Sequence, residues 1–153
     1  MVTTHRITAE LYEDDFKLIA LHCSLSGHTM AYHINGAVKL ALKRTDKDLD
    51  VGEVSFPVFE WEDPMNYTNW TLIANAIKKE WKNNAVDLFS EANTERTHHL
   101  IEERKEVDYF LKIAAEDEIV TDTIVAAVKA IPDVVTAYSI EVEVLKSRRN
   151  LIF

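Results

Sequence analysis

Residues 107–140 read VDYFLKIAAEDEIVTDTIVAAVKAIPDVVTAYSI. Val107 to Ile113 is a short run rich in β-formers, bounded by charge, and it predicts a strand. Asp117 is a good N-cap, and Ile119, Val120, Ile124, Ala127, Val128 and Ile131 follow at helical spacing until Pro132 stops the helix. Val134 to Ile140 is strand-like again. A strand, helix, strand unit crosses over in one hand, so its outer strands are expected to be parallel, with or without another strand between them.

Upstream, Ile7 to Tyr12 and Phe16 to Ser24 flank the charged turn Glu13-Asp14-Asp15 and suggest a hairpin. The second arm carries Phe16, Leu18 and Ala20 on one face and Ile19, Leu21 and Cys23 on the other, as a central strand covered on both sides would. Ser26 is placed to cap a helix running to Leu40, with Met30, Ile34, Ala37, Val38 and Ala41 on its apolar face. Gly36 weakens that helix and leaves room for close packing. A short strand at Ala41–Arg44, a polar loop at 45–52 and a strand at Glu53–Trp61 follow, Pro57 marking a bulge or an edge. Asp63-Pro64-Met65-Asn66 has turn composition. In Tyr67 to Lys82, Trp70, Ile73, Ile77 and Trp81 have helical spacing, but the local propensity of Thr68, Trp70, Thr71 and Ile73 decides for a strand. Asn83-Asn84 forms a turn, and Ala85–Ser90 with Thr97–Ile101 forms an antiparallel pair. The whole, residues 1–153, is expected to be a single α+β domain: a largely antiparallel twisted sheet of about six to eight strands with two main helices and a C-terminal strand, helix, strand unit.

Composition narrows the function classes. Asp and Glu number 26 against 17 Lys and Arg, a formal charge of -9, so nucleic acid is an unfavourable partner unless Lys78, Lys79, Lys82, Arg148 and Arg149 gather into a stripe. No apolar run reaches the roughly 20 residues that span a bilayer, and the start has no signal-peptide core. A cytoplasmic location with no membrane association is expected. Cys23, the single cysteine, lies among apolar neighbours like a buried structural thiol.

The segment Ile101-Glu102-Glu103-Arg104-Lys105-Glu106-Val107-Asp108-Tyr109 resembles the bacterial IPExxxVDY family, with Glu102 where the family name has Pro. The likeness extends through Asp14–Ala20, Leu42–Thr45, Ser55–Glu62 and Asn150–Phe153. It implies a cytosolic protein of the Bacteroidota type and supplies no reaction, cofactor or catalytic residue to carry over. The missing Pro bears on the backbone shape of the turn before Val107.

Motifs for chemistry are sparse. Asp46-x-Asp48-x-Asp50 has the opening spacing of a calcium loop, but Val51 and Pro57 stand where Gly and the closing Glu are needed, so a solvated acidic loop is expected. His5, His22, His28, His33, His98 and His99 include no i, i+4 pair, and three glycines make neither a Walker loop nor a dinucleotide fingerprint. No catalytic residue, metal or cofactor is assigned.

Glu60 and Glu62 share one strand face about 7 Å apart, a spacing usable by an acid and base pair beside Trp61 and Trp70. They equally fit a strand with carboxylates out and aromatics in. Glu103, Asp108 and Tyr109, with Trp61, form a candidate partner-binding surface, whereas alternation with Leu111 and Ile113 would turn Tyr109 inward. From Glu141 the chain becomes an apolar and basic tail ending in Leu151-Ile152-Phe153, which docks either on its own domain or on a partner or second subunit. The expected function is a non-enzymatic interaction module, acting by self-association or by docking on a larger assembly. The alternative is a small-ligand-binding protein or hydrolytic enzyme using Glu60 and Glu62.

Overall fold

The computed structural model describes residues 15–81 and 94–153. Strand β1 (Phe16–Cys23) lies inside the main sheet because both of its faces are apolar. Phe16, Leu18 and Ala20 enter one core, while Ile19, Leu21 and Cys23 enter another on the opposite side. Its neighbours are β9 (Tyr109–Ala115) and β10 (Val134–Ile140), both antiparallel to it. The expected partner strand Ile7–Tyr12 and most of its turn lie outside the described residues, and β1 has a C-terminal strand on each edge instead.

Between these come α1 (Gly27–Val38), β2 (Lys43–Arg44), β3 (Leu49–Val51), β4 (Val54–Phe56), β5 (Val58–Asp63), β6 (Thr68–Ala74), β7 (Ala76–Trp81) and β8 (Thr94–His99), with α2 (Thr121–Lys129) joining β9 to β10. The main sheet has the order β10-β1-β9-β6-β5-β2, and every neighbouring pair is antiparallel. Since β1 runs opposite to both β9 and β10, those two are parallel with one strand inserted, and the fold is α+β as the sequence predicts.

Both helices lie on one face. Met30, Ala31 and Ile34 of α1 and Val128 of α2 pack over Ile19, Leu21, Leu72, Leu111 and Ile113. The other face is covered by the β3–β4 hairpin and by Leu100, Ile101, Val107, Val142, Leu145 and Leu151. A separate β7–β8 ribbon completes the described strands.

Several boundaries differ from expectation for local reasons. Pro57 does more than bulge a strand: it separates β4 from β5, which belong to different sheets. The loop after Thr45 contains β3. The segment from Tyr67 is two strands, broken at the buried Asn75. Strand β8 stops at His99, and Leu100 and Ile101 turn into the core; Val107 enters the core opposite to that of Leu111 and Ile113. Ser26 caps α1, its hydroxyl accepting from the Thr29 N–H at 3.4 Å. Asp117 does not cap α2, which starts at Thr121 after an uncapped Val120. A Cβ on Gly36 would meet nothing within 4 Å, so this glycine serves no close approach. The expected turn at Asn83-Asn84 and strand at Ala85–Ser90 lie outside the described residues.

Candidate functional site

The family-like segment 101–109 is tied into the fold through Asn75, whose side chain is fully buried. Its Nδ2 donates to the carbonyls of Arg104 at 2.8 Å and Val107 at 2.9 Å, and its Oδ1 accepts from the Ile101 N–H at 2.9 Å. Its backbone reaches the same segment: Asn75 N–H donates to the Asp108 carbonyl and the Leu100 N–H donates to the Asn75 carbonyl. One asparagine therefore shapes the turn between Ile101 and Val107, with Glu102 in a short 3₁₀ turn over Glu102–Arg104. Sequence reasoning passed over Asn75; the available signal was a lone amide inside the apolar run TLIANAI.

Asp108 and Tyr109 hold the exit of β1. The exposed Asp108 carboxylate accepts from the Cys23 N–H at 2.9 Å, and the Tyr109 hydroxyl donates to the Leu25 carbonyl at 2.7 Å. Tyr109 is half-buried on the helix side, and burial, aided by nearby Cys23 and Asp108, pushes its phenol up to about 12. Burial likewise raises the Cys23 thiol; a backbone hydrogen bond at Leu25 opposes the rise and Asp108 adds to it. Such a thiol is a poor nucleophile.

Glu103 faces the tail. Its carboxylate accepts from the Ser147 N–H and from the Ser147 hydroxyl, both at 2.7 Å. Desolvation pushes its pKa up, but these bonds and neighbouring backbone amides together outweigh it and hold the carboxyl below its usual value. Asn150 donates to the Leu100 carbonyl at 2.7 Å, and the Lys112 ammonium donates to the Leu151 carbonyl at 2.6 Å. Leu151 is fully buried, Ile152 packs against the same core, and the partly exposed Phe153 ring lies 4.3 Å from the Lys112 ammonium. The tail is seated on its own domain. Glu103, Asp108 and Tyr109 thus each make bonds within the chain, and Leu151, Ile152 and Phe153 cover the sheet.

Trp61 is half-buried against the helix-side core and stands opposite Trp70 in the ladder. Glu60 and Glu62 point to the other side and are exposed, opposite Thr71 and Asn69 respectively. Neither borders the open groove of about 760 Å³ between α1 and α2, lined by residues such as Tyr32, Ala37, Ala127 and Pro132. Neither borders the smaller, acidic hollow of about 280 Å³ at Asp15, Lys17 and Glu116–Glu118. In the acidic loop Asp48 pairs with Arg44, and Asp50 accepts from the Ser55 hydroxyl. Among the described residues no three His, Cys, Asp or Glu side chains gather as metal ligands.

The two ends of the main sheet differ. At one end β2 contributes only Lys43 and Arg44, which pair with Glu60 and Phe59. Short, charged edges of this kind resist further pairing. At the other end β10 offers seven residues, VVTAYSI, without charge or proline. Carbonyls and amides alternate along a strand. Leu21 directs its carbonyl to Asp108 on the β9 side, so Leu18, Ala20 and His22 serve β10 through Ile140, Tyr138 and Thr136. The backbone groups of Val135, Ala137 and Ser139 consequently face outward, and no backbone hydrogen bond meets them among the described residues. Val135 is 82% exposed.

No family model, curated protein or solved structure matches the chain. No helix among the described residues is long and apolar enough to cross a membrane.

Proposed function

We propose that this chain is a cytosolic bacterial protein of the IPExxxVDY type and works as a non-enzymatic interaction module, by self-association or by docking on a larger assembly. The observation that carries this reading is the outward row of backbone groups on β10, set against the short basic edge at β2. An open, uncharged strand of this length is a template for another strand. The polar residues of the family-like segment support the same view from the other direction: Glu103, Asp108 and Tyr109 hold Ser147, Cys23 and Leu25 in place. Those contacts tie the segment to the exit of β1 and to the tail. The test is size-exclusion of native cytosol followed by capture with the tagged full chain, run beside Val135→Lys. Capture of a defined macromolecule, or of the chain itself, by the parent and its loss with the variant is expected. A parent that elutes alone as a monomer and captures nothing overturns the reading.

A further inference from the structure

We infer that the strand completing β10 is β10 of a second copy, paired antiparallel about a two-fold axis at Ala137, so that two main sheets join into one. This rests on the interaction-module reading above and names its partner.

An antiparallel edge meets its own copy with hydrogen-bonding groups already in phase, because a two-fold axis between the strands keeps donors opposite acceptors. With the axis at Ala137, that residue faces its own counterpart, and Val135 faces Ser139 in both directions. These are the residues whose N–H and C=O groups point outward. Thr136 then lies opposite Tyr138, and Val134 opposite Ile140. Cross-strand pairs of β-branched, aromatic and hydroxyl side chains are the stabilising kind.

Charge permits the same occupant at this edge. The chain carries a formal charge of -9, so most ways of apposing two copies set carboxylates against one another. Along Val134–Ile140 there are none. The nearest acids are Asp133 and Glu141 just outside the strand, and this register brings Asp133 of one copy toward Glu141 of the other at both ends. Mild repulsion there keeps the association reversible and gives the register a signature.

Sedimentation of the full chain from low to high micromolar concentration tests the inference, with three variants. Val135→Pro removes an N–H that points outward, and proline is tolerated on an edge strand in that orientation. Val135→Lys places a charge at an exposed position and keeps the backbone intact. Glu141→Lys converts each end contact to an attraction and is expected to tighten the dimer about three- to tenfold. The expected result is a concentration-dependent dimer, weakened at least about tenfold by Val135→Lys. Val135→Pro is expected to be a monomer of unchanged circular dichroism; if it unfolds, Val135→Lys decides alone. A parent that stays monomeric throughout overturns the inference, and so does a dimer indifferent to Val135→Lys and Glu141→Lys. A monomeric parent that still captures a different macromolecule, lost with Val135→Lys, overturns self-pairing and leaves the interaction-module reading standing. A monomeric parent that captures nothing overturns both.

Discussion

Replacing Asn75 by Ala is expected to destabilise the protein more than any change at an exposed acidic residue. The substitution leaves the Ile101 N–H and the Val107 carbonyl buried with no side-chain partner, while the Arg104 carbonyl keeps the bond from the Val107 N–H at 3.1 Å. An unsatisfied buried group costs about 1–3 kcal/mol, and a lost bond to a group that keeps another partner about 1, giving about 3–7 kcal/mol in all. Whole domains are stable by roughly 5–15 kcal/mol, and at this size each kcal/mol shifts the melting temperature by roughly 2–4 °C. A fall of roughly 6–28 °C is therefore expected in thermal melts, with a matching loss of stability in urea unfolding. Asn75→Asp is expected to be at least as harmful at neutral pH, because its carboxylate would face the carbonyls of Arg104 and Val107. Hydrogen exchange supplies the local readout: the Ile101 amide should lose protection more than amides in the centre of β1. A melting curve for Asn75→Ala within about 1 kcal/mol of the parent would refute the assignment of Asn75 as the residue holding the turn.

Leu151→Ala is expected to cost about 2–5 kcal/mol in urea unfolding, and charge removal at Asp46 or Asp50 within about 0.5 kcal/mol, since Leu151 is fully buried and the loop is exposed. Ultraviolet titration should find Tyr109 ionising near the value of about 12 given by burial, against about 10 in the unfolded chain. A phenol raised on folding contributes stability that is complete below the unfolded value and lost as pH climbs through the folded one. Alkaline melts should accordingly decline over that window, less steeply in Tyr109→Phe. Gly36→Ala should stabilise by up to about 1 kcal/mol, because it sits within α1 and a Cβ there meets open space; a lower melting temperature would show an unrecognised contact.

Features written in local periodicity were legible: the two-sided pattern of β1, the Ser26 cap, and the β9, α2, β10 order with its parallel outer strands. Those set by tertiary bonds were not. The helix after β9 begins past Asp117 because no backbone amide there takes up the carboxylate as a cap, and the N-cap place falls to Val120. Pro57 was visible as an interruption, but only the hairpin partner of β4 and the ladder partner of β5 reveal that it divides two sheets. At the candidate site, the aromatic and charged residues of segment 101–109 were conspicuous in sequence, yet their partners were not. Asp108 meets Cys23 across 85 residues and Glu103 meets Ser147 across 44, distances at which no spacing rule operates. The open β10 edge follows from strand order, which propensity does not encode.

The central place of β1 also fixes when the domain can first assemble on the ribosome. His22 and its partner Tyr138 are 116 residues apart, and synthesis at roughly 5–20 residues per second puts roughly 6–23 s between them. For most of that interval, until β9 is made, a nascent strand apolar on both faces has neither of its native neighbours, and β10 comes later still. A chain stalled before Val134 would have helices and hairpins to offer but an unfinished sheet, and it would be a natural client for factors that shield emerging hydrophobic segments.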